Sequence, residues 1–272
     1  MNKVLVLGGS GLVGKAVIKE MSKDKDYEVY GTYAHNPIPW LQGRELQLDV
    51  NDTAGIGSIL YGLKPNIVVS CLRGDYDKQL VLHAEVTEYL KDCEGRLYFC
   101  STANVFDNDL SRPHYEGDAP DAATDYGQYK QECEKRLLKI LGGNCCIFRL
   151  PQIWGTDCPR MTMLQASISR DEEIEVYPGL LYNTNTDVML ARQIHYIIRH
   201  GLSGIFHLAA EDIISHKDFY SRLLAGLGHS NARRKENPDE KGYMVLLSNR
   251  HDELPPELRI SNEDVIRHLS VI

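Results

Sequence analysis

The chain has 272 residues, 43% of them hydrophobic and 25% charged, with a formal net charge of −8. This is enough for one large α/β domain, or for a nucleotide-binding half with a smaller attached lobe. The acidic balance excludes a nucleic-acid footprint, which needs clustered Lys and Arg, and no apolar stretch approaches the roughly 20 residues that span a bilayer.

An unbroken apolar run at Val4 to Leu7 predicts a central parallel strand covered on both faces. Glycines turn the chain at once, and Leu12 to Met21 continues as a helix. A strand passing through glycines into a helix aims free backbone N–H groups and the positive end of the helix dipole at one point, which suits a pyrophosphate. Gly9, Gly11 and Gly14 fit G-x-G-x-x-G, while Gly8, Gly11 and Gly14 fit G-x-x-G-x-x-G. Either spacing makes Gly8, Ser10, Gly11, Leu12, Val13 and Gly14 the dinucleotide cradle. Gly11 keeps the phosphate approach open, and Gly14 lets the helix sit close on the sheet. A strand beginning at Lys3 leaves no room for a signal peptide.

Tyr27 to Tyr33 reads as the second strand. Its end meets the adenine ribose in such folds, where an Asp or Glu would bind both hydroxyls of NAD. Tyr33 is followed instead by Ala34, His35 and Asn36. With no carboxylate to repel a 2′-phosphate, NADP(H) is the preferred cofactor and NAD(H) the alternative. Further strands are expected at Glu45 to Val50, Asn66 to Leu72, Arg96 to Ser101 and Asn144 to Leu150. Helices are expected around Ile56 to Leu63, at Val81 to Leu90, with Val81 on its apolar side, and at Tyr126 to Leu141. This alternation calls for a Rossmann-type, doubly wound parallel α/β sheet over residues 1–155. Residues 156–272 are expected to form a smaller mixed α/β substrate lobe packed on it and not folding alone. Its pieces are short strands at Glu173 to Tyr177 and Gly204 to Leu208, helices at Val188 to Arg199, Lys217 to Leu227 and Asn262 to Leu269, and polar loops at Arg233 to Lys235 and Asn237 to Lys241.

Seven scattered cysteines without a C-x-x-C give neither a disulfide framework nor a zinc knuckle. His83-Ala84-Glu85 resembles the start of a zinc-deaminase motif but lacks its cysteine partner. No metal site is expected, and the cytoplasm is the expected compartment.

Tyr126-Gly127-Gln128-Tyr129-Lys130 places a phenol and an ammonium four residues apart, on one side of a helix. A nearby ammonium stabilises a phenolate and brings a phenol with an ordinary pKa of about 10 toward use in proton transfer. The fifth strand ends in Ser101-Thr102, a hydroxyl where such sheets place substrate contacts. His207, between Phe206 and Leu208, reads as a hydrogen-bonded core histidine.

Together these pieces resemble the extended short-chain dehydrogenase/reductases, and within them the dTDP-4-dehydrorhamnose reductase branch with its sugar-nucleotide-modifying relatives. The resemblance is carried by Gly8 to Gly14, Leu48-Asp49-Val50, Ser101-Thr102 with Val105-Phe106-Asp107, Tyr126 to Lys130, and Arg149-Leu150-Pro151-Gln152-Ile153-Trp154-Gly155. It implies that Thr102 holds the substrate carbonyl, Tyr126 is the general acid, and Lys130 binds the nicotinamide ribose and tunes Tyr126. It also brings Asp49 and Val50 to the adenine; Tyr33, Cys71 and Leu72 are further expected at the cofactor, and Arg73, at a strand end where it would hold a phosphate or carboxylate, Asn104, Gln152 and Trp154 toward the substrate. The chain departs from the branch at Ser70-Cys71-Leu72-Arg73, where Asn-Ala-Ala is usual, and at His83, where an asparagine is expected. It departs again at Ala103-Asn104, in place of Asp-Tyr, and at Asn183 to Thr186.

The implied activity is NAD(P)-dependent reduction of a carbonyl on a nucleotide sugar or similar small polar substrate. A sugar-nucleotide epimerase or dehydratase, and a non-catalytic NAD(P)-binding regulatory protein, remain alternatives. The sequence admits a homodimer and leaves oligomeric state open.

Overall fold

A computed structural model describes residues 1–51 and 53–271. In chain order the first half is β1 (Asn2–Leu7), α1 (Leu12–Met21), β2 (Tyr27–Tyr33), β3 (Glu45–Gln47), α2 (Thr53–Leu63), β4 (Ile67–Ser70), α3 (Tyr76–Asp92), β5 (Arg96–Cys100), α4 (Asp125–Leu141) and β6 (Cys145–Arg149). The second half adds β7 (Gln152–Trp154), α5 (Pro159–Ser169), β8 (Ile174–Val176), β9 (Gly179–Tyr182), β10 (Thr184–Thr186), α6 (Asp187–Arg199) and β11 (Gly204–His207). It ends with β12 (Ile214–Ser215), α7 (His216–Gly226), β13 (Arg234–Glu236), β14 (Lys241–Met244) and α8 (Asn262–Ser270).

Seven parallel strands form the main sheet in the order β11-β6-β5-β4-β1-β2-β3. The Rossmann-type expectation is met. The strand order reverses between β1 and β4, and it is there, past the carboxyl ends of the strands, that such sheets open a ligand crevice. Side-chain alternation along each strand feeds two layers. Val4 and Val6 of β1 pack with α1 and α6 on one face. Leu5 and Leu7 pack with α2, α3 and α4 on the other. A third core around Trp154, Phe219 and Leu223 belongs to the lobe.

Several sequence expectations need correction. β11, expected in the lobe, is the edge strand of the main sheet, and α6 packs over α1. The chain therefore re-enters the nucleotide-binding half beyond residue 155, because β6 still offered an unpaired edge. Arg234 and Lys235, read as loop, pair with β8 as β13, and Lys241 opens β14 beside β9. Their side chains are polar and mostly exposed, so no apolar alternation announced them. β7, β9, β10 and α5 were not anticipated. Val81, placed on the apolar side of its helix, is 51% exposed.

α1 meets β1 at backbone contact distance. A Cβ on Gly14 would stand 2.3 Å from the Gly8 carbonyl oxygen, and Gly8 itself has φ +75°. Gly14→Ala is therefore expected to cost about 1–3 kcal/mol of stability through overpacking. Urea unfolding of the variant beside wild type checks this. An unchanged midpoint would mean that the helix moves away freely.

Candidate functional site

The crevice is built first from backbone. α1 starts at Gly11 with no side-chain cap and no acidic residue in its first turn, so nothing on the chain competes for its positive end. A Cβ built on Gly11 would meet only the Gly8 carbonyl oxygen, at 3.4 Å, and otherwise faces open space. Gly9 is different, for its Cβ would run into Ile18 and Ile38 on the core side. The cradle thus has an open side at Ser10 and Gly11 and a closed side at Gly8, Gly9 and Gly14, the form a pyrophosphate needs. Leu12 leans on the lobe core and Val13 on the α1 layer.

Tyr33 closes β2, and its carbonyl accepts from Leu48 N at 2.8 Å, which holds the following Asp49 and Val50 beside it. Asp49 accepts from the backbone and side chain of Asn51, at 2.9 and 2.8 Å. The Asn51 backbone N–H is the main cause holding its carboxyl below the usual range. Val50 rests on the α2 side of the core. Cys71 follows β4 and is half-buried; Leu72 is buried in the α2–α3 core, so its side chain turns away from the crevice.

The chemistry-bearing groups come from α4 and from the turn after β5. α4 is capped by Thr124, whose hydroxyl accepts from Gly127 N. Its first turn lies so close to the 3-10 turn Ala103–Phe106 that a Cβ on Gly127 would stand 2.3 Å from the Asn104 carbonyl oxygen. That contact sets Tyr126 beside Thr102. The Thr102 hydroxyl donates to Asn104 Oδ1 at 3.0 Å, and Asn104 Nδ2 reaches Asp107 at 3.4 Å. Burial raises the Tyr126 pKa; the positive charge of Arg73, then the nearby Thr102 hydroxyl, offset part of that rise.

Lys130 departs from expectation. It is 3% exposed, donates from Nζ to the Cys100 carbonyl oxygen at 2.8 Å, and lies over the Phe99 ring at 4.4 Å. Desolvation, the largest influence, lowers its pKa. The foremost charge acting on Tyr126 is that of Arg73, an exposed side chain with no hydrogen bond or ion pair among the described residues. Spacing four apart on a helix puts two residues on one side but does not fix where long side chains end. Lys130 reaches down to a strand carbonyl while the phenol stays at the rim.

The remaining assignments divide. Gln152, in the amide orientation that satisfies both partners, accepts from Arg160 Nε at 2.8 Å and Nη2 at 3.0 Å. Trp154 is fully buried against Phe219 and Tyr220, with Arg160 over its ring, so the expected substrate contact is not possible for its side chain. His83 hydrogen bonds to Ser70 Oγ at 2.8 Å, and burial, then the Lys130 charge, pushes its pKa down to about 3. His207 is a core histidine bound to the Leu247 carbonyl at 2.8 Å.

Sequence reading missed the polar support beneath Thr102. Arg149 and Glu134, 1% and 3% exposed, pair at 2.8 Å, and Ser101 Oγ donates to Glu134 at 2.5 Å. Glu116 accepts from His207 N, Ser248 Oγ and Asn249 N, tying the lobe to the end of β11. Glu134 was findable, since it continues the four-residue spacing from Tyr126 through Lys130. Among the described residues no group of three or more His, Cys, Asp or Glu is placed to hold a metal, and no helix is long and apolar enough to cross a membrane.

The sequence model of one protein family, described as the RmlD substrate binding domain, matches residues 1–240. The dTDP-4-keto-6-deoxy-D-glucose reductase of Streptomyces niveus is 23% identical over 252 residues, covering 87% of this chain and 83% of that protein. Methionine adenosyltransferase 2 subunit beta of Danio rerio is 28% identical over 163 residues, 56% of this chain; the match spans only 48% of that relative. Among solved structures, a dTDP-4-dehydrorhamnose reductase of Bacillus anthracis in complex with NADP shares the fold with a TM-score of 0.80 at 17% identity, covering 99% of this chain and 98% of that one.

Removing one partner of a buried ion pair strands the other charge. Glu134→Gln is expected to lower stability by about 3–5 kcal/mol, while Glu132→Gln, which breaks only the exposed pair with Arg136, should change it little. Denaturant midpoints of the two variants, measured together, check the contrast; equal midpoints would contradict it.

Proposed function

We propose, from the premise that the chain belongs to the RmlD substrate binding domain family, that it is an NAD(P)-dependent reductase of a nucleotide-sugar carbonyl. The observation that carries the reading is the phenol of Tyr126 kept protonated beside the Thr102 hydroxyl, at the mouth of a glycine cradle shaped for a pyrophosphate. The family match and the Streptomyces reductase support it.

The cradle fits a dinucleotide because its face is open at Gly11 while Gly8, Gly9 and Gly14 pack closely on the sheet side. Ser10, Leu12 and Val13 would offer backbone N–H groups to the phosphates, while Gly8, Gly11 and Gly14 shape the turn, the N–H groups of Gly8 and Gly11 being bound to Thr32 Oγ1 and the Gly8 carbonyl. Tyr33, Asp49 and Val50 would flank the adenine end, and Cys71 the nicotinamide end. The missing carboxylate after Tyr33 favours NADP(H). When bound, such a cofactor supplies a hydride to the carbonyl carbon. The chain's own residues supply the rest. Tyr126 donates a hydrogen bond to the carbonyl oxygen as it gains negative charge and then gives up its proton, joined by Thr102 once its hydroxyl turns from Asn104 Oδ1. A phenol with a raised pKa is the right species for this direction, because it enters the reaction neutral. Arg73 stabilises the phenolate left behind, in place of Lys130. Lys130, anchored on Cys100, is left to hold the cofactor ribose. Asn104 orients Thr102, and Gln152 borders the lobe side of the pocket.

A second reading follows from the Danio rerio relative, which is named as a subunit of a methionine adenosyltransferase. On it the chain would bind the cofactor and act through a partner protein, without turnover.

Tyr126→Phe separates the two. On the reductase reading it keeps NADPH affinity and loses about 10²–10⁴-fold in turnover of a dTDP-4-keto-6-deoxy sugar; absence of any NADPH oxidation by wild type across nucleotide sugars would favour the subunit reading. Arg73→Met should lower kcat by about tenfold, with Arg73→Lys recovering part of it. Because the phenol is protonated at neutral pH, reduction should show no decline attributable to Tyr126 up to about pH 9. A fall setting in near pH 7 and abolished in Tyr126→Phe would contradict the raised pKa.

A further inference from the structure

We propose that Cys71 and Cys100 form a reversible disulfide that switches the cofactor crevice off under two-electron oxidants such as hydrogen peroxide. In the register of β4 against β5, Ser70 lies opposite Phe99. The next residue on each strand is a cysteine, and the two sulfurs are 3.6 Å apart. Neighbouring strands are about 4.8 Å apart, within the Cα separation of about 4.4–6.8 Å that a disulfide spans. The other five thiols make no such sulfur–sulfur contact among the described residues. Cys100 is 6% exposed and Cys71 is half-buried, so Cys71 is the more accessible residue of the pair.

The pair sits between the two parts of the site. The Cys100 carbonyl oxygen holds Lys130 Nζ at 2.8 Å. The Cys71 carbonyl oxygen lies 2.9 Å from where a Cβ on Gly8 would stand, so it forms the wall behind the phosphate turn. Drawing the sulfurs to bonding distance, about 2.05 Å, pulls on the lysine's anchor and on that wall together. Two paired strand ends resist the pull, and a disulfide closed under strain is the readily reduced kind. The effect on the cofactor rests on the reading given above; the bond itself does not.

The chemistry balances with peroxide as oxidant. The Cys71 sulfur, as thiolate, attacks one peroxide oxygen; the O–O bond breaks, and the departing oxygen leaves as water with the proton the thiol gave up. The Cys100 sulfur then attacks the sulfenic sulfur, the S–S bond forms, and the hydroxyl leaves as a second water with the Cys100 proton. Two thiols are oxidised and one peroxide is reduced. The hydrogen bond with Cys100, then burial, keeps the Cys71 thiol protonated at rest, while the Lys130 charge favours its thiolate.

The test exposes the full chain to hydrogen peroxide, blocks remaining thiols, and maps linked peptides by mass spectrometry, with NADPH titrations on the same samples. The expected result is a Cys71–Cys100 cross-link, NADPH affinity weakened on the order of tenfold, and recovery of both in dithiothreitol. In Cys100→Ser the cross-link and the reversible loss should both vanish. Free thiols after treatment, a Cys71 oxide without cross-link, or cross-linked protein with unchanged NADPH affinity would each overturn the switch. Reduced protein that fails to bind NADPH would overturn the cofactor reading and the switch with it, while the mass spectrum still decides whether the bond forms.

Discussion

Two helices in this protein begin against backbone that leaves no space for a side chain. α1 meets the Gly8 carbonyl through Gly14, and α4 meets the Asn104 carbonyl through Gly127. Both contacts occur at carboxyl ends of sheet strands, the first after β1 and the second after β5. They bring the open end of α1 over the crevice and set the first turn of α4 at its rim. Close packing of this kind is unforgiving, because a carbonyl oxygen cannot rotate aside as a side chain can. The relative position of the phosphate cradle and the Tyr126 phenol depends on these two contacts.

Beneath that frame lies a polar layer whose charges are buried and matched. Arg149 carries the end of β6, Glu134 comes from α4, and Ser101 closes β5, so one ion pair joins three elements under Thr102. Glu116 does the same between the lobe and β11, where burial works against its charge and hydrogen bonds from Ser248 and Asn249 outweigh it. Such pairs add little net stability over apolar packing, but each is costly to break singly. Their consequence here is positional: the strand ends cannot shift without stranding a charge. Above them burial sets the titration of the crevice groups. Burial raises the Tyr126 phenol, lowers Lys130, and leaves His83 uncharged. A reductive proton donor is served by that setting, since the proton must be present before the carbonyl arrives.

Three of the departures from the branch gather in this same place. Cys71 and Arg73 stand after β4 where the branch ends in Asn-Ala-Ala, and His83, in place of an asparagine, stands on α3. One brings a sulfur against Cys100, another a free cation toward Tyr126, and the third a hydrogen bond to Ser70. The scaffold of the family is retained while the lining of the crevice after β4 is altered.

The amino-acid sequence by itself determined the first six strands of the sheet and the helices between them. Their apolar runs and glycine turns are local signals that hold whatever surrounds them. It also offered Thr102, just past β5, and Tyr126 and Lys130, four apart on one helix, as candidates for chemistry, with their roles implied by the family resemblance. Tertiary structure alone decided that β11 returns to the main sheet, since an edge strand is chosen by the open edge it finds and not by its own pattern. It decided that Trp154 is core and that Lys130 ends on the Cys100 carbonyl. Those are outcomes of where long side chains terminate in three dimensions, which spacing along a helix does not specify.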